Sequence, residues 1–225
     1  MISVDLEETG REFLISFLAR TGRAITFISI QENQNTMGSI RVFIHVTVDG
    51  YFSGPEGEMD WFQSIHDEEW KRFSEENAGS GQSTLMFGHT TYEIMKNFWP
   101  TPMAMQMDPK MATVMRNSPK IVFSKTLETP EDDGAWKNVR VFHAVNPREI
   151  EELRNKEDIV ILGSGTIVRQ LTDLGLIDEY MLVVVPVVLG KGRPLFKDVH
   201  RKNLKLHDVR HFKSGIVLLT YRSQG

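Results

Sequence analysis

Hydrophobic and polar positions alternate clearly from residue 40 onward. Ile40, Val42 and Ile44 and the apolar residues at 46 and 48 occupy every second position, and the residues between them form a second set. Because successive side chains of a strand point to opposite faces, this pattern predicts a strand at 40–48. The pair Asp49-Gly50 is typical of a turn and ends the strand.

The rest of the chain alternates between short apolar runs and amphipathic segments. We predict helices at 67–77, 90–97, 103–117, 147–155 and 166–174. We predict strands at 84–87, 120–124, 139–142, 158–162, 179–185, 203–210 and 216–222. The alternation indicates an α/β domain, and the last two strands predict an antiparallel end to its sheet.

The first thirty-six residues have a different character. Their apolar stretch, 13–30, is interrupted by Arg20 and Arg23 and preceded by acidic residues, which makes a poor membrane span. The segment also lacks the basic start of a secretory signal. Our hypothesis is that Met37 begins the folded domain, which then spans 37–225, and that 1–36 is an extension from an upstream start.

Composition excludes several classes of function. A formal net charge of −4 gives no basic surplus for a nucleic-acid partner. The absence of cysteine excludes disulfides and thiolate metal sites and is typical of a cytoplasmic protein. The seven histidines are scattered without metal-ligand spacing, so we expect no metal site. There is neither a Walker loop nor a Gly-x-Ser-x-Gly nucleophile elbow.

A Gly-Ser-Gly turn at 163–165 interrupts an apolar run and is followed by a predicted helix. Such a junction presents backbone N–H groups at a helix N-terminus, where a phosphate binds well. Glycine also serves simply to turn the chain between a strand and a helix. The residues alone leave both interpretations open.

Five segments in a fixed order carry a family resemblance. They are Val-Asp-Gly at 48–50, Phe-Gly-His-Thr-Thr-Tyr-Glu at 87–93, Lys-Ile-Val-Phe-Ser-Lys-Thr-Leu at 120–127, the turn at 163–165, and Ile-Asp-Glu-Tyr at 177–180 followed by 186–192. Together they resemble the dihydrofolate reductase superfamily, and more closely the C-terminal reductase domain of bifunctional riboflavin-biosynthesis enzymes. The resemblance implies one three-layer domain with a mostly parallel central sheet and flanking helices.

The resemblance also implies a function and a cofactor. Relatives bind NADPH across the carboxyl ends of the central strands and deliver hydride to a small heteroaromatic or imine substrate, such as a pyrimidine or pteridine derivative. The turns matched to the cofactor's phosphates comprise Gly163, Ser164, Gly165, Thr166, Gly88, His89, Thr90 and Thr91. Ser124 and Lys125 match the strand end that holds the adenosine 2′-phosphate, which favours NADPH over NADH.

Four further residues each allow two interpretations. Trp61 matches a tryptophan beside the nicotinamide, although an aromatic residue after a loop is also typical of a core. The proton donor is predicted to be Asp49 or an acid at the start of the first helix, Glu68 with its neighbour Asp67. The alternatives are a turn aspartate and a solvated acidic helix face.

Two residues depart from the pattern of the family and keep other functions open. His89 stands where many relatives have arginine or lysine, and Leu162 stands where the riboflavin enzymes have a glutamate that contacts substrate. One alternative is therefore the riboflavin step itself, reduction of 5-amino-6-(5-phosphoribosylamino)uracil. Another is a non-catalytic dimeric nucleotide-binding module. Because relatives often dimerise, we expect a homodimer formed through the loop at 188–192 and the strand before it.

Overall fold

The computed structural model describes residues 4–9, 12–17, 38–62, 67–77, 82–128 and 134–224. The chain divides into two compact units, Met1–Thr36 and Met37–Gly225. In the first unit, β1 (Val4–Thr9) pairs antiparallel with β2 (Glu12–Phe17). The hypothesis that this unit comes from an upstream start stays a prediction.

The second unit carries the remaining elements. Its strands are β3 (Ile40–Thr47), β4 (Tyr51–Ser53), β5 (Thr84–Gly88), β6 (Lys120–Phe123), β7 (Val139–Phe142), β8 (Ile159–Ile161), β9 (Glu179–Val185), β10 (Arg193–Pro194), β11 (Leu204–His211) and β12 (Val217–Ser223). Its helices are α1 (Glu68–Asn77), α2 (His89–Phe98), α3 (Pro102–Met107), α4 (Pro109–Asn117), α5 (Pro147–Arg154) and α6 (Gly165–Leu174), with a 3-10 turn at Asp60–Phe62. Among the described residues, no helix is long and apolar enough to cross a membrane.

Eight of these strands form one sheet in the order β11-β12-β9-β3-β8-β5-β6-β7. All pairings from β9 to β7 are parallel, whereas β12 runs antiparallel to both β9 and β11. Helices lie in the crossovers that lead to β5, β6, β8 and β9, whereas the described residues between β6 and β7 contain no helix. The predicted fold class, a mostly parallel sheet with an antiparallel C-terminal end and flanking helices, is confirmed.

The helix predicted at 103–117 is wrong as a single element. Asp108 separates α3 from α4, and Pro109 occupies the first turn of α4. Proline has no N–H to continue the preceding helix, and the Asp108 carboxylate instead accepts the N–H of Met111 at 2.8 Å. The chain therefore turns at this point.

The start of α2 also differs from the expected one. The predicted helix begins at Thr90, which would leave His89 outside it, but Gly88 occupies the N-cap position and α2 begins at His89. Glycine offers no side-chain oxygen to the first helical N–H groups. The threonines instead lie within the first turn of the helix.

The two faces of the sheet are packed differently. On one face, the apolar side of β3 joins α5, α6 and the neighbouring strands in one cluster. On the other face there are two clusters: one joins α2 and α4 to β5, β6, β7 and β8, and one joins α1 to β3, β9 and β12. The boundary between these two clusters falls between the adjacent strands β3 and β8.

Candidate active site

The strand order creates a crevice at the carboxyl ends of the central strands. The chain leaves β3 toward β5, β6 and β7 on one side and later places β9 on the other side, with β8 inserted between β3 and β5. Ligands of open α/β sheets bind outside the carboxyl ends of strands at such a reversal of direction. The residues that follow β5, β6 and β8 therefore form the candidate site.

Two glycine turns meet at this edge. The N–H of Gly88 donates to the carbonyl oxygen of Gly163 at 3.0 Å. A Cβ on Gly88 would lie 2.4 Å from Ser164 Oγ, and one on Gly163 would lie 3.2 Å from Thr91 Oγ1. The Gly163-Ser164 peptide bond is cis. The close approach requires small residues here, and it brings together the two turns that the sequence assigned to phosphate.

Neither helix that starts from these turns has a side-chain cap. Gly88 precedes α2 and Ser164 precedes α6, and neither makes a side-chain capping bond. The helices α3, α4 and α5 differ, because Thr101, Asp108 and Asn146 cap their N-termini. The first N–H groups of a helix have no partner within it, and the helix dipole favours an anion there. Two adjacent N-termini of this kind suit a diphosphate.

The residues predicted to hold the 2′-phosphate lie one strand further along. Gly88 is opposite Phe123 in the β5–β6 ladder, so Ser124 and Lys125 follow β6 beside the start of α2. The sheet therefore places the predicted 2′-phosphate residues next to the two glycine turns, at 88–91 and 163–166. They come together because β5 and β6 are neighbours in a parallel sheet, whose strands all end at the same edge.

Ser124 is buried and organises the turn that presents Lys125. Its Oγ accepts the N–H groups of Thr126 at 3.3 Å and Leu127 at 3.0 Å. Lys125 is exposed. His143, which follows β7, has its Nδ1 2.9 Å from the carbonyl oxygen of Ser124. No local pattern indicates His143, because its position beside Ser124 depends on the pairing of β6 with β7.

His89 and Thr166 are exposed on the first turns of their helices. The Nε2 of His89 lies 3.8 Å from a carboxylate oxygen of Glu93, one helical turn away. Thr166 Oγ1 accepts a hydrogen bond from Arg169 at 3.3 Å. Glu93 places a negative charge beside His89, which disfavours an anion at this imidazole.

Gly165, at the start of α6, is where β4 contacts the glycine turn at 163–165. A Cβ on Gly165 would lie 2.4 Å from the ring of Phe52, so the ring rests directly on the start of α6. Phe52 also packs against the cluster beneath α5 and α6. Sequence reasoning missed this residue, because a three-residue strand carries no periodic pattern.

Asp49 joins the end of β3 to the loop that follows β9. Its carboxylate accepts the hydroxyl of Thr47 at 2.6 Å and the N–H groups of Leu189 at 3.2 Å and Gly190 at 2.8 Å. The Thr47 hydroxyl, with these backbone donors, lowers the pKa of Asp49 below its usual value. The arrangement favours the ionised carboxylate, which accepts protons rather than donating them near neutral pH.

The acids at the start of α1 also favour structural roles. One oxygen of Asp67 accepts the N–H groups of Glu69 and Trp70, and the other accepts the N–H of Ser214 at 3.0 Å. The hydrogen bonds from Ser214 and the helix lower the pKa of Asp67 to about 2. Glu68 is exposed and lines an open cavity of about 600 Å³ whose other charged residues have mixed signs. These surroundings of Glu68 fit a solvated helix face, which is the alternative to a proton donor.

Trp61 lies in the 3-10 turn and is 8% exposed. Such burial is what the core alternative expects. Its predicted place beside the nicotinamide stays a prediction, as does the homodimer. In the described part of the chain, no group of three or more histidines or acids is arranged to hold a metal ion.

Comparisons with known proteins find relatives of this chain and of its fold. The uncharacterized protein YyaP of Bacillus subtilis (strain 168) is 29% identical over 181 residues, which cover 80% of this chain and 92% of YyaP. The crystal structure of a "putative riboflavin biosynthesis protein" from Shewanella sp. PV-4 matches with a TM-score of 0.62 and 21% identity, covering 83% of this chain and 99% of that one.

A dihydrofolate reductase from Enterococcus faecalis, solved with NADP(H) and RAB-propyl, matches with a TM-score of 0.53 and 19% identity, covering 84% of this chain and 98% of that one. At these identities the two solved structures show the shared fold. The sequence profile of the RibD C-terminal domain family matches residues 39–218, nearly the whole second unit. The chain therefore belongs to the RibD C-terminal domain family.

Proposed function

We propose that this protein is an NADPH-dependent reductase that transfers hydride to a small heteroaromatic or imine substrate, a pyrimidine or pteridine derivative. The observation that carries the proposal is the meeting of two uncapped helix N-termini across Gly88 and Gly163. An anionic diphosphate complements this arrangement of N–H groups and dipoles. Membership of the RibD C-terminal domain family supports a reductase.

The residues at the edge fit such a cofactor. The turns 88–91 and 163–166 lie against each other, and any Cβ at Gly88 or Gly163 would crowd the space where the backbone must approach a pyrophosphate. Ser124 and the exposed Lys125 follow the adjacent strand, at the place for a 2′-phosphate. A lysine charge and a hydroxyl suit that dianion, which NADH lacks. When bound, the reduced nicotinamide would supply the hydride.

The chain's own residues orient the reactants and control the charge around them. The ionised Asp49 holds the loop at 189–190 against the end of β3 and so fixes one wall of the crevice. Because the hydrogen bonds of Asp49 and Asp67 favour their ionised forms, we propose that the proton for the accepting nitrogen arrives through water. Asp49 then acts as a positioning residue.

The riboflavin step is the second candidate for the reaction. The family match favours it. Leu162 counts against it, because this residue precedes the glycine turn with an apolar side chain and offers no carboxylate to a substrate hydroxyl. We therefore place the general reductase first and reduction of 5-amino-6-(5-phosphoribosylamino)uracil second.

Titration of the full chain with NADPH and NADH, followed by nicotinamide fluorescence, tests the proposal. We expect NADPH to bind at least about tenfold more tightly than NADH, since a charged contact to phosphate contributes on the order of 1.5 kcal/mol. Loss of reduced-nicotinamide absorbance with pyrimidines and pteridines then identifies the substrate class. Failure of both nucleotides to bind would overturn the proposal, and binding without consumption of NADPH by any compound would favour the non-catalytic module.

A further inference from the structure

One segment of the chain carries a large positive charge. Residues 191–213 contain eight lysines and arginines and two aspartates, whereas the rest of the chain has 18 basic and 28 acidic residues. The segment therefore has a formal charge of +6, and the remainder has −10. It comprises β10, the connection to β11, β11 itself and the start of the turn to β12. Such an asymmetry indicates a surface that attracts an anionic partner.

The basic side chains of this segment are available to a partner. All eight lysines and arginines are exposed. Within the part of the chain that the structure describes, none of them forms an ion pair. The connection that carries several of them is held against α6, because His200 Nδ1 lies 2.7 Å from a carboxylate oxygen of Asp173. The charges are thus presented by ordered backbone.

The two outermost strands of the sheet are covered differently. β7 is partly buried along its whole length, and its Arg140 lies 2.8 Å from a carboxylate oxygen of Glu157. β11, at the other side, has seven exposed residues out of eight. In the described sheet, β11 pairs with β12 alone, so its outward N–H and C=O groups have no strand beside them. An outermost strand of this kind is a template for one further strand.

The two faces of β11 present different side chains. Leu206 and Val209 are 51% and 50% exposed, on the face of the sheet that α6 covers. Lys205 and Arg210 are exposed on the opposite face, which α1 covers further along the sheet. An irregularity in the pairing with β12, between 206 and 208, keeps each pair on its own face. β11 therefore offers an apolar face and a basic face.

These faces specify the chemistry of a partner. A strand added beside β11 would alternate its side chains between the same two faces. Apolar residues on one face would cover Leu206 and Val209, and acidic residues on the other would meet Lys205 and Arg210. A nucleic acid fits less well, because it lacks a counterpart for the apolar pair and the backbone groups. The negative charge of the rest of the chain also repels a long polyanion.

Protection of β11 from unwanted pairing does not account for the whole charge. Lysine on an outermost strand does discourage association. Six of the eight cations, however, lie outside β11. They are Lys191, Arg193, Lys197, Arg201, Lys202 and Lys213. The positive field therefore extends around the strand, where it would steer an acidic partner toward it.

We propose that β11 and the basic segment around it bind an extended segment of another protein, in which apolar and acidic residues alternate, as an added strand. The strands β12, β9 and β3 separate β11 from β8 and β5. The inference is therefore independent of the proposed reductase activity.

The test uses the full chain and a fluorescent synthetic peptide of four Val-Glu repeats. Fluorescence anisotropy measures the affinity, and amide hydrogen exchange locates the contact. We expect binding and slower exchange in 204–211, because an added strand takes up the outward N–H groups. A second peptide, with four valines followed by four glutamates, has the same charge without the alternation. It should bind at least about tenfold more weakly.

A pair of lysine variants tests where the charge acts. Lys205→Glu should weaken binding of the alternating peptide about fivefold, since it replaces an attraction by a repulsion. Lys110→Glu is the matched control, because it changes the net charge equally at an exposed position of α4. It should leave the affinity unchanged. Arg210 is kept, because its guanidinium also packs 4.5 Å from the centroid of the Phe73 ring.

Each contrary result overturns the inference. Absence of binding, equal binding of the two peptides, or equal weakening by the two lysine variants would remove the added strand. Tighter binding of single-stranded polyuridylate than of the alternating peptide would assign the surface to nucleic acid. A dimer in analytical ultracentrifugation whose 204–211 amides are protected without peptide would assign it to a second copy of this chain.

Discussion

The eight-stranded sheet has one edge where its parallel strands begin and one where they end, and these two edges use their polar groups differently. At the edge where the parallel strands begin, charged side chains bond to the protein itself. At the edge where they end, glycines bring backbone N–H groups together and two helices start without side-chain caps. One edge therefore stabilises the fold, and the other leaves its donors available to a ligand.

Lys120 is the clearest example at the first edge. It begins β6, is fully buried, and its Nζ donates to the carbonyl oxygens of Arg116 at 3.1 Å, Ser118 at 2.8 Å and Lys137 at 3.2 Å. The ammonium also lies 4.3 Å from the centroid of the Trp136 ring. A buried charge is tolerated only with such partners.

Carboxylates at the same edge join neighbouring strands. Glu157 bonds to Arg140 at 2.8 and 2.9 Å and to the Thr84 hydroxyl. Asp158 accepts the N–H and hydroxyl of Ser39, at 3.0 and 2.7 Å. These contacts connect the segment before β8 to the first residues of β7 and β5 and to the residue before β3. The comparison shows that a conspicuous charge in this fold is more often structural, whereas the candidate site is made largely of backbone.

Replacement of Lys120 by methionine should have the largest effect on stability. The variant retains the side-chain volume but leaves buried carbonyl groups without their donor, so we expect the free energy of unfolding to fall by about 3–5 kcal/mol. Urea unfolding measures the change. The exposed Lys110→Met is the control, and an unchanged urea midpoint for Lys120→Met would contradict the structural role of the first edge.

Acid should destabilise the protein through His45, on β3. Burial lowers its folded pKa to about 4, below the usual value of 6.5, so the unfolded chain binds the proton more readily. The stabilisation is complete above about pH 6.5 and is lost as the pH falls toward 4, by roughly 2–3 kcal/mol in total. Urea unfolding across this range should show a slope that His45→Gln reduces, and an equal slope in both proteins would refute the assignment.

Replacement of Gly163 by alanine should affect both stability and binding. Gly163 has a φ of +122°, and the new Cβ would crowd Thr91. We expect about 1–2 kcal/mol less stability and at least about tenfold weaker NADPH binding. Gly134→Ala is the matched control, because Gly134 has a φ of +74° in open space. If both variants bind NADPH equally, the second edge is not the nucleotide site.

Replacement of Lys125 by glutamine should have the smallest effect, limited to the choice of nucleotide. Loss of one exposed charge should weaken NADPH binding about fivefold, close to 1 kcal/mol, and leave NADH binding unchanged. Fluorescence titration measures both affinities, with Lys110→Gln as the control. Equal weakening for the two nucleotides would place Lys125 away from the 2′-phosphate.

Local signals predicted most individual elements correctly. The β-branched run at 179–185 is the strand β9, and Gly175, in the left-handed conformation with φ of +71°, ends α6. Both depend on the residues within the element. The break at Asp108 shows the limit: the methionines suggested one helix, and the Asp-Pro pair decided otherwise.

The contacts of the candidate site follow a different rule. Short motifs indicate Gly88, Gly163 and Asp49, but the partners of Asp49 lie in a loop at 189–190 that is distant in sequence. No local pattern indicates Phe52. Its contact with Gly165 depends on strands that are distant in sequence.

The sequence by itself determined the alternation of strands and helices, the glycine turns and the family to which the chain belongs, because these depend on neighbouring residues and short motifs. Only the tertiary structure decided that β8 lies between β3 and β5, that two uncapped helices therefore start side by side, and that the apolar residues of one face of the sheet form two clusters. The physical reason is that strand order is set by packing and backbone pairing across the whole domain. The candidate site lies where that order reverses.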